Sequence, residues 1–169
     1  GVDKLKDVRT FLITVFVSLV LLYVIHQFTY PFFVSGHSMY PTFQDGDFCV
    51  GDVAIATLER GDVVVFREDG ILMVKRIVAI PGDDIWASEG YIYVNGELSP
   101  YQYELISDYG VLTAPVHVPE NEYFCMGDNR NHSTDSREYG TIKRERILCK
   151  ASKIIFRASD FNLLGGKQS

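Results

Sequence analysis

The architecture of this chain follows from residues 71–80, ILMVKRIVAI, in which β-branched and other apolar side chains surround two basic residues. This length and composition are typical of a buried β-strand. Strand alternation places Lys75 on the same face as Met73 and Ile77. An ammonium group loses hydration among apolar neighbours, so the pattern predicts a lysine of lowered pKa that can serve as a general base. A lysine whose ammonium group extends into solvent is the ordinary alternative.

Segments of the same kind lie on both sides of this strand. They are short, rich in β-branched and aromatic residues, and bounded by Gly, Pro or Asp: residues 48–54, 62–68, 91–99, 122–128 and 151–158. Asn95 and Gly96 predict a two-residue type I′ turn between two strands. No segment after residue 45 has a helical stripe, so we expect a mainly β fold with an antiparallel sheet. Residues 83–122 separate two motif-rich regions and are predicted to form a small inserted β subdomain.

The N-terminal part differs, because no Asp, Glu, Lys or Arg occurs between Arg9 and Asp45. A run of about twenty apolar residues at ~1.5 Å per residue spans a hydrocarbon layer of ~30 Å. Residues 10–31 are therefore predicted to form one transmembrane helix, ended by Pro31. A cleavable signal peptide is the alternative, but this run is longer than a signal's core and bulky residues follow it.

The basic residues predict how the helix is oriented. Three of them precede it, namely Lys4, Lys6 and Arg9. On the far side there is no Lys or Arg until Arg60. Because basic flanks stay in the cytoplasm, residues 1–9 are predicted to be cytoplasmic and residues 32–169 to lie outside as the β domain.

Composition excludes several classes of protein. The 169 residues are 47% hydrophobic and 22% charged, which excludes a disordered or collagen-like chain. The formal net charge of −6 argues against a nucleic-acid binder that neutralises phosphates. Cys49, Cys125 and Cys149 cannot all pair within one chain and lack the spacing of a zinc site, so we expect small buried side chains.

Two loops are rich in residues that can carry chemistry. In residues 35–42, SGHSMYPT, Ser38 lies between Gly36 and Pro41 on a constrained turn, as a serine nucleophile requires. The second loop, residues 127–140, is GDNRNHSTDSREYG. Its charged residues predict ion pairs that stiffen it: Asp128, Arg130, Asp135 and Arg137. A calcium site is excluded, since the third and fifth positions counted from Asp128 are Arg and His rather than oxygen ligands.

Four segments behind the N-terminal anchor resemble the sequence boxes of bacterial type I signal peptidases: SGHSMYPT, GDVVVF, VKRIVAIPGD and GDNRNHSTDSR. The likeness is strongest to Gram-positive-type members with a single transmembrane segment, and it covers residues 34–150 plus the anchor. It implies the signal peptidase fold and a serine endopeptidase with a Ser/Lys dyad. Ser38 would be the nucleophile, Lys75 its general base, and Ser133 the serine that holds the lysine amine. The charged residues that brace the site would be Arg76, Asp128, Asp135 and Arg137.

The same resemblance implies the substrates and surroundings of the site. Exported preproteins would be cut after small-x-small sequences such as Ala-x-Ala, in shallow pockets with candidate walls Val34, Met39 and Val74. The oxyanion would depend on the N–H of Ser38, with Gly36 as a second candidate where some members have serine. No metal or organic cofactor is implied. The expected partners are preproteins and membrane lipid, without nucleic acid or an obligate protein partner, at the outer face of the bacterial cytoplasmic membrane.

Three other interpretations explain part of the sequence. A cytosolic Ser/Lys self-cleaving repressor has related chemistry, but this chain has an anchor and no DNA-binding helices. A Ser-His-Asp hydrolase would need His37, His117 or His132 as its base. An anchored binding module could display the RGD tripeptide at residues 60–62, although this tripeptide leads directly into a strand and so predicts a turn.

Overall fold

A computed structural model describes residues 2–160 of the chain, which begin with one long helix. This helix, α1, runs from Val2 to Phe28. By length and composition, its part from Lys4 to Phe28 is long and apolar enough to cross a membrane. The side chains of that part are exposed on every side. A helix whose long apolar run stays exposed among the described residues suits lipid surroundings.

Strands make up most of the chain after α1. In chain order they are β1 (Thr29–Phe33), β2 (Phe48–Asp52), β3 (Val63–Glu68), β4 (Ile71–Ala79), β5 (Asp84–Ser88), β6 (Tyr91–Val94), β7 (Glu97–Leu98), β8 (Val116–His117), β9 (Glu122–Met126), β10 (Ile142–Lys143) and β11 (Ile147–Phe156). Short helical segments lie between them: α2 (Ser136–Tyr139) and the 3₁₀ turns Gly110–Thr113, Arg130–His132 and Arg144–Arg146.

The strands form two antiparallel sheets. Seven strands make a large sheet in the order β1-β2-β11-β3-β4-β9-β10, and four make a small sheet in the order β7-β6-β5-β8. Within the large sheet β4 lies between β3 and β9, with Lys75 opposite Val64 and Arg76 opposite Met126. Because hydrogen bonds hold β4 on both sides, the backbone that carries these two basic side chains is fixed.

Apolar clusters join the parts of the domain. One cluster packs Val78 and Phe124 of the large sheet against Ile85 and Ile92 of the small sheet. A second cluster lies beneath the loop between β1 and β2 and includes Met39, which is 1% exposed. Each fully buried large apolar side chain contributes roughly 1.5–3 kcal/mol, so these contacts hold the loop firmly on the sheet.

The end of the N-terminal helix differs from the expectation of a helix over residues 10–31. The helix ends at Phe28, and Thr29–Phe33 instead form the edge strand β1, paired with β2. Pro31 lies within this strand, where an edge position tolerates its missing N–H. Phe32 is 4% exposed and packs in the core. This burial against distant residues favours the strand, and a local pattern does not reveal it.

The predicted fold class, mainly antiparallel β with one N-terminal apolar helix, is confirmed. The predicted turn is also present, with φ of 53° at Asn95 and 86° at Gly96, both positive as type I′ requires. All four strands of the small sheet lie within residues 83–122, and their standing as a separate subdomain stays a prediction. Strands β5, β8 and β10 were not predicted; β8 and β10 have only two residues each, too few to show alternation.

The three cysteines are free and buried, as expected. Burial raises the pKa of the Cys49 thiol to about 11 and that of Cys149 to about 12. These thiols therefore behave as small apolar side chains and not as nucleophiles.

Candidate active site

The serine and the lysine singled out by the sequence lie side by side. Ser38 is in the loop between β1 and β2, and Lys75 is on β4. Lys75 Nζ donates a hydrogen bond to Ser38 Oγ over 2.6 Å, and Lys75 is only 3% exposed. Burial lowers the pKa of Lys75, against the opposing effect of Asp135. The amine thus adjoins a hydroxyl and is biased toward the neutral form that a general base requires.

The turn that carries Ser38 is held by the loop after β9. The backbone N–H of Asn129 donates to the carbonyl oxygen of Ser38 over 3.0 Å. The side chain of Asn129 donates through Nδ2 to the carbonyl oxygen of His37, also over 3.0 Å. Peptide groups on both sides of the serine Cα are thereby fixed, so the backbone sets the direction of Ser38 Oγ. Sequence reasoning missed Asn129, because its contact with His37 spans 92 residues.

A buried ion pair connects the neighbour of Lys75 to the same loop. Arg76 Nε and Nη2 donate to the two carboxylate oxygens of Asp128 over 2.8 and 2.7 Å. Thr42 Oγ1 donates to Asp128 Oδ2 over 2.5 Å, and Asp128 is 1% exposed. A bidentate pair of this kind fixes geometry as well as charge. Through Asp128, the strand of Lys75 and the loop of Ser38 are tied together.

A second buried ion pair, Arg137 with Asp135, stabilises the loop after β9. Arg137 Nε and Nη2 donate to the two carboxylate oxygens of Asp135, each over 2.9 Å. Arg137 Nη2 also donates to the carbonyl oxygens of Arg130 and Ser133, over 2.5 and 3.2 Å. One guanidinium thus gathers the polar groups of this loop around itself.

Most of the chain matches a known family. Residues 8–156 match the family described as "Signal peptidase, peptidase S26". The chain belongs to the signal peptidase family. Signal peptidase I S of Bacillus subtilis (strain 168) is 32% identical over 174 residues, which cover 92% of each chain. Signal peptidase IB of Staphylococcus aureus (strain COL) is 33% identical over 178 residues, covering 92% of this chain and 93% of the relative. A solved signal peptidase I from Enterococcus faecalis V583 is 26% identical with a TM-score of 0.47, covering 59% of this chain and 100% of that one.

Membership of the signal peptidase family confirms the enzyme class predicted from the sequence. The predicted contact between Ser133 and Lys75 is not formed. Ser133 Oγ is buried and has no hydrogen-bond partner among residues 2–160, so it does not hold the Lys75 amine. The amine donates to Ser38 instead. Ser133 nevertheless lies close to the turn that carries Ser38, and Gly127 is between them. A Cβ added at Gly127 would come within 2.5 Å of both Ser133 Cβ and the Ser38 carbonyl oxygen.

Gly36 does not provide the second oxyanion donor that the resemblance suggested. Its backbone N–H donates to Asp45 Oδ1 over 2.7 Å and is therefore occupied. The backbone N–H of Ser38 makes no hydrogen bond to any part of the chain that the structure describes. Of the two candidates, only the Ser38 N–H can donate to a substrate without breaking an existing bond.

The three predicted pocket residues line one cavity beside Ser38 and Lys75. This cavity has a volume of about 190 Å³ and is bounded by Val34, Met39 and Val74. Its other lining residues, which were not predicted, are Phe33, Ser35, Ile71, Leu72 and Met73. Apart from Ser35 and the Ser/Lys pair, the lining is apolar. A small apolar side chain can therefore enter without leaving a charged group unpaired.

Two of the three histidines of the alternative hydrolase interpretation contact residues other than the serine. His132 Nδ1 lies 3.1 Å from Asn129 Oδ1, and His117 Nδ1 lies 2.9 Å from Asp84 Oδ1. Across residues 2–160, no histidine side chain is hydrogen-bonded to Ser38. The geometry gives no support to a Ser-His-Asp triad.

The RGD tripeptide is tied into the protein by its two charged side chains. Arg60 forms an ion pair with Asp83 at 2.5 Å, and Asp62 forms one with Lys150 at 2.7 Å. A ligand for an adhesion receptor would need these groups free. The tripeptide instead forms the entry to β3, as the turn interpretation predicted.

Arg130 was expected to form an ion pair, and this expectation is wrong for the described residues. Arg130 is 1% exposed, and none of the ion pairs in that part of the chain includes it. Its Nη2 donates to the carbonyl oxygen of Tyr101 over 2.5 Å, while its Nε has no hydrogen-bond partner there. Burial lowers the pKa of Arg130 to about 10. A buried cation without an ion pair needs other contacts that stabilise its charge.

Proposed function

We propose that the protein removes N-terminal signal peptides from exported preproteins, with Ser38 as nucleophile and Lys75 as general base. The observation that carries this proposal is the 2.6 Å contact between Lys75 Nζ and Ser38 Oγ in a site where the lysine is 3% exposed. An ordinary lysine, with a pKa of ~10.4, is neutral in only about one molecule in 2,500 at pH 7. Burial lowers the pKa of Lys75 and so increases the neutral fraction. The S26 family match supports the same reaction.

The reaction proceeds in two stages. In the first, neutral Lys75 takes the proton of Ser38 as Oγ bonds to the scissile carbonyl carbon. The tetrahedral intermediate then breaks its C–N bond, and the Lys75 ammonium gives that proton to the leaving amine, the new N-terminus of the mature protein. In the second stage Lys75 takes a proton from water, which attacks the acyl-enzyme. The bond between the acyl carbon and Ser38 Oγ then breaks, and Oγ takes its proton back from the Lys75 ammonium. The signal peptide leaves as a carboxylic acid, which loses its proton to solvent.

The developing oxyanion is stabilised by the backbone N–H of Ser38. This group is unpaired within the described residues, and the clamp of Asn129 on the adjoining carbonyl groups fixes its direction. A preorganised donor of this kind needs no rearrangement during the reaction, which is why such groups contribute strongly to acyl transfer. The side chains of Asp128, Arg76, Asp135 and Arg137 form no hydrogen bond to Ser38 Oγ or Lys75 Nζ within the described residues. They hold the loops around the dyad, and Asp135 also opposes the lowering of the Lys75 pKa.

Specificity for small side chains follows from the cavity beside the dyad. Its volume of about 190 Å³ is shared among the substrate residues that lie next to the scissile bond. Val34 and Met39 are 4% and 1% exposed, so they are held in the core and cannot move aside to admit a large side chain. Alanine fits such a space, whereas a bulky residue overlaps its walls.

The location of the site suits substrates that emerge from a membrane. Helix α1 ends at Phe28, and only strand β1 and a short loop segment separate it from Ser38. The basic residues before the apolar run support a cytoplasmic N-terminus and a catalytic domain on the outer face of the bacterial cytoplasmic membrane. Lipid and the exported preprotein are then the partners of the domain.

The test is cleavage of a purified preprotein with an Ala-x-Ala site by the full chain in detergent. Ser38→Ala and Lys75→Ala should each reduce kcat by roughly 10³-fold or more, and the double variant should be no slower, because the pair acts as a unit. His37→Ala, a change in the exposed residue next to the nucleophile, is the matched control and should leave kcat nearly unchanged. Activity of Lys75→Ala near that of the parent would refute the assignment of the base.

A further inference from the structure

One segment of the predicted inserted region, residues 83–122, lies over Arg76 and Arg130 near the Ser38–Lys75 pair. This covering segment comprises residues 99–107, which follow β7. Two of its tyrosines approach Arg76, the neighbour of Lys75. The Arg76 Cζ atom lies 5.9 Å from the ring centroid of Tyr101 and 5.1 Å from that of Tyr103.

The ring of Tyr103 contacts a second buried cation as well. The Cζ atom of Arg130 lies 5.5 Å from the same ring centroid. Arg130 has no ion pair with any described residue, so the electron-rich ring face compensates part of the lost hydration of its charge. Such contacts strengthen when the cation is removed from water, as both guanidinium groups are here. Tyr103 is thus a shared neighbour of two arginines that hold different elements.

The far end of the covering segment is tied to the loop after β9 by one side chain, Asn131. Asn131 Oδ1 accepts hydrogen bonds from the backbone N–H and the hydroxyl group of Ser107, each over 2.9 Å. Asn131 Nδ2 donates to the carbonyl oxygen of Leu105 over 3.0 Å, and Glu104 Oε1 accepts from the Asn131 N–H over 2.9 Å. This set of bonds fixes the segment against the loop that carries Arg130.

The near end is tied to the turn before β3. Tyr101 Oη donates to the carbonyl oxygen of Arg60 over 2.9 Å. The Tyr101 ring lies directly on Gly61, where an added Cβ would come within 2.6 Å of the ring atom Cζ. The carbonyl oxygen of Gly61 in turn accepts a hydrogen bond from Arg76 Nη1 over 2.6 Å. Both ends of the covering segment therefore lead to groups that hold Arg76 or Arg130.

We propose that Tyr103 is a positioning residue for the Ser/Lys reaction. Its ring holds Arg76 and Arg130 in place. Arg76 in turn holds Asp128, and Asp128 holds Thr42 of the loop that carries Ser38. The inserted region therefore contributes to catalysis through this series of contacts, without touching the substrate. The inference rests on the proposed function, because the reaction that Tyr103 serves is the one assigned to Ser38 and Lys75.

The experiment compares three variants of the full chain in detergent micelles. Tyr103→Leu removes the aromatic face, Tyr103→Phe keeps it, and Tyr91→Leu is the matched control. Tyr91 lies in the same region on β6 and is 39% exposed, close to the 43% of Tyr103. The measurements are kcat and KM for a preprotein from pH 6 to 10, and amide hydrogen exchange of residues 36–43.

Tyr103→Leu should lower kcat by roughly tenfold or more with little change in KM, since small misplacements of a reacting group cost this much. It should also displace the acid limb of the pH profile and speed hydrogen exchange in residues 36–43. Tyr103→Phe should restore kcat to within about threefold of the parent, because the ring face persists. Tyr91→Leu should match the parent in every measurement.

Two results would overturn the proposal. Either Tyr103→Leu keeps the kcat and exchange rates of the parent, or Tyr103→Phe loses as much as Tyr103→Leu. If Tyr103→Leu does not fold, Asn131→Ala tests the same segment from the exposed loop and should produce the same kcat and exchange changes. Parent activity that is absent, or insensitive to Ser38→Ala, would instead refute the proposed function, and hydrogen exchange would still decide the role of Tyr103.

Discussion

Replacing Asp128 by asparagine should destabilise the protein far more than the matching change in an ion pair whose basic partner is exposed. Asp128 is 1% exposed and accepts bonds from Arg76 Nε and Nη2 and from Thr42 Oγ1, over 2.8, 2.7 and 2.5 Å. The asparagine side chain would keep the shape but remove the charge, leaving the Arg76 guanidinium buried without a counter-charge. Breaking a buried pair at one partner costs about 3–5 kcal/mol.

The size of the expected change is set by what Arg76 keeps. Its side chain retains the hydrogen bond to the Gly61 carbonyl oxygen over 2.6 Å and the contact with the Tyr103 ring. We therefore expect a loss near the lower limit, about 3 kcal/mol. For a chain of this length, ~1 kcal/mol corresponds to a fall of about 2–4 °C in the unfolding midpoint, so the expected fall is roughly 6–12 °C.

The assay is thermal unfolding in detergent followed by circular dichroism, with preprotein cleavage measured below the transition. Glu68→Gln is the matched control, because Glu68 pairs with Arg146 at 2.6 Å while the Arg146 side chain is 45% exposed. Solvent screens that pair, so the midpoint should hardly change. The double variant Arg76→Met, Asp128→Leu should recover part of the stability, since it removes both charges of this buried pair.

Equal midpoints for Asp128→Asn and Glu68→Gln would refute this reasoning. So would an Arg76→Met, Asp128→Leu variant that is less stable than Asp128→Asn, because the penalty would then not come from an uncompensated guanidinium. Asp128 is assigned two roles, stabilising the fold and positioning Ser38. If Asp128→Asn lowers the unfolding midpoint but keeps the parent's kcat at lower temperature, Asp128 has only the first role.

Four further predictions concern pH, packing and topology. Burial lowers the pKa of Lys75 in the folded protein below its value in the unfolded chain. The acid limb of the kcat/KM profile should therefore lie at a lower pH than the titration of an ordinary lysine. A profile that is flat from pH 6 to 10 would contradict this. The lowered pKa of Lys75 also destabilises the folded state: the penalty is complete below the folded pKa and becomes smaller as pH rises toward the pKa of the unfolded chain. Lys75→Met should therefore be inactive, yet its free energy of unfolding in urea should increase relative to that of the parent as pH falls. Gly127→Ala should cost about 1–3 kcal/mol and reduce kcat, because its Cβ would meet Ser133 and the Ser38 carbonyl oxygen within 2.5 Å; an unchanged midpoint would exclude the overlap. Protease added outside intact cells stripped to the cytoplasmic membrane should digest residues after Val34, and protection until lysis would invert the orientation.

Several features of the protein could be predicted from the sequence because each is encoded within a few neighbouring residues. The apolar run without charges predicts one helix of membrane length, and the turn at Asn95 and Gly96 requires only two residues that tolerate positive φ. The strand of Lys75 is visible as a β-branched segment. Ser38 and Lys75 were singled out by local pattern and by resemblance to signal peptidases, and the structure brings their side chains to 2.6 Å.

Other features depended on contacts between distant residues. Thr29–Phe33 form a strand and not the last turn of a helix, because pairing with β2 and the burial of Phe32 outweigh the local apolar pattern. Ser133 does not bond to Lys75, and the N–H of Gly36 is taken by Asp45, outcomes that depend on side-chain directions in the folded loops.

The residues that hold the dyad in place were the hardest to predict. Asn129 reaches His37 across 92 residues, and Thr42 reaches Asp128 across 86. Tyr103 in the sequence looks like any tyrosine of a polar loop, and Arg130 looks like a partner for the nearby aspartates. Local sequence patterns indicate backbone preference and burial, because both depend mainly on a residue and its neighbours along the chain. The pairing of a buried charge is decided only when separate elements fold together and exclude water, so it belongs to the tertiary structure.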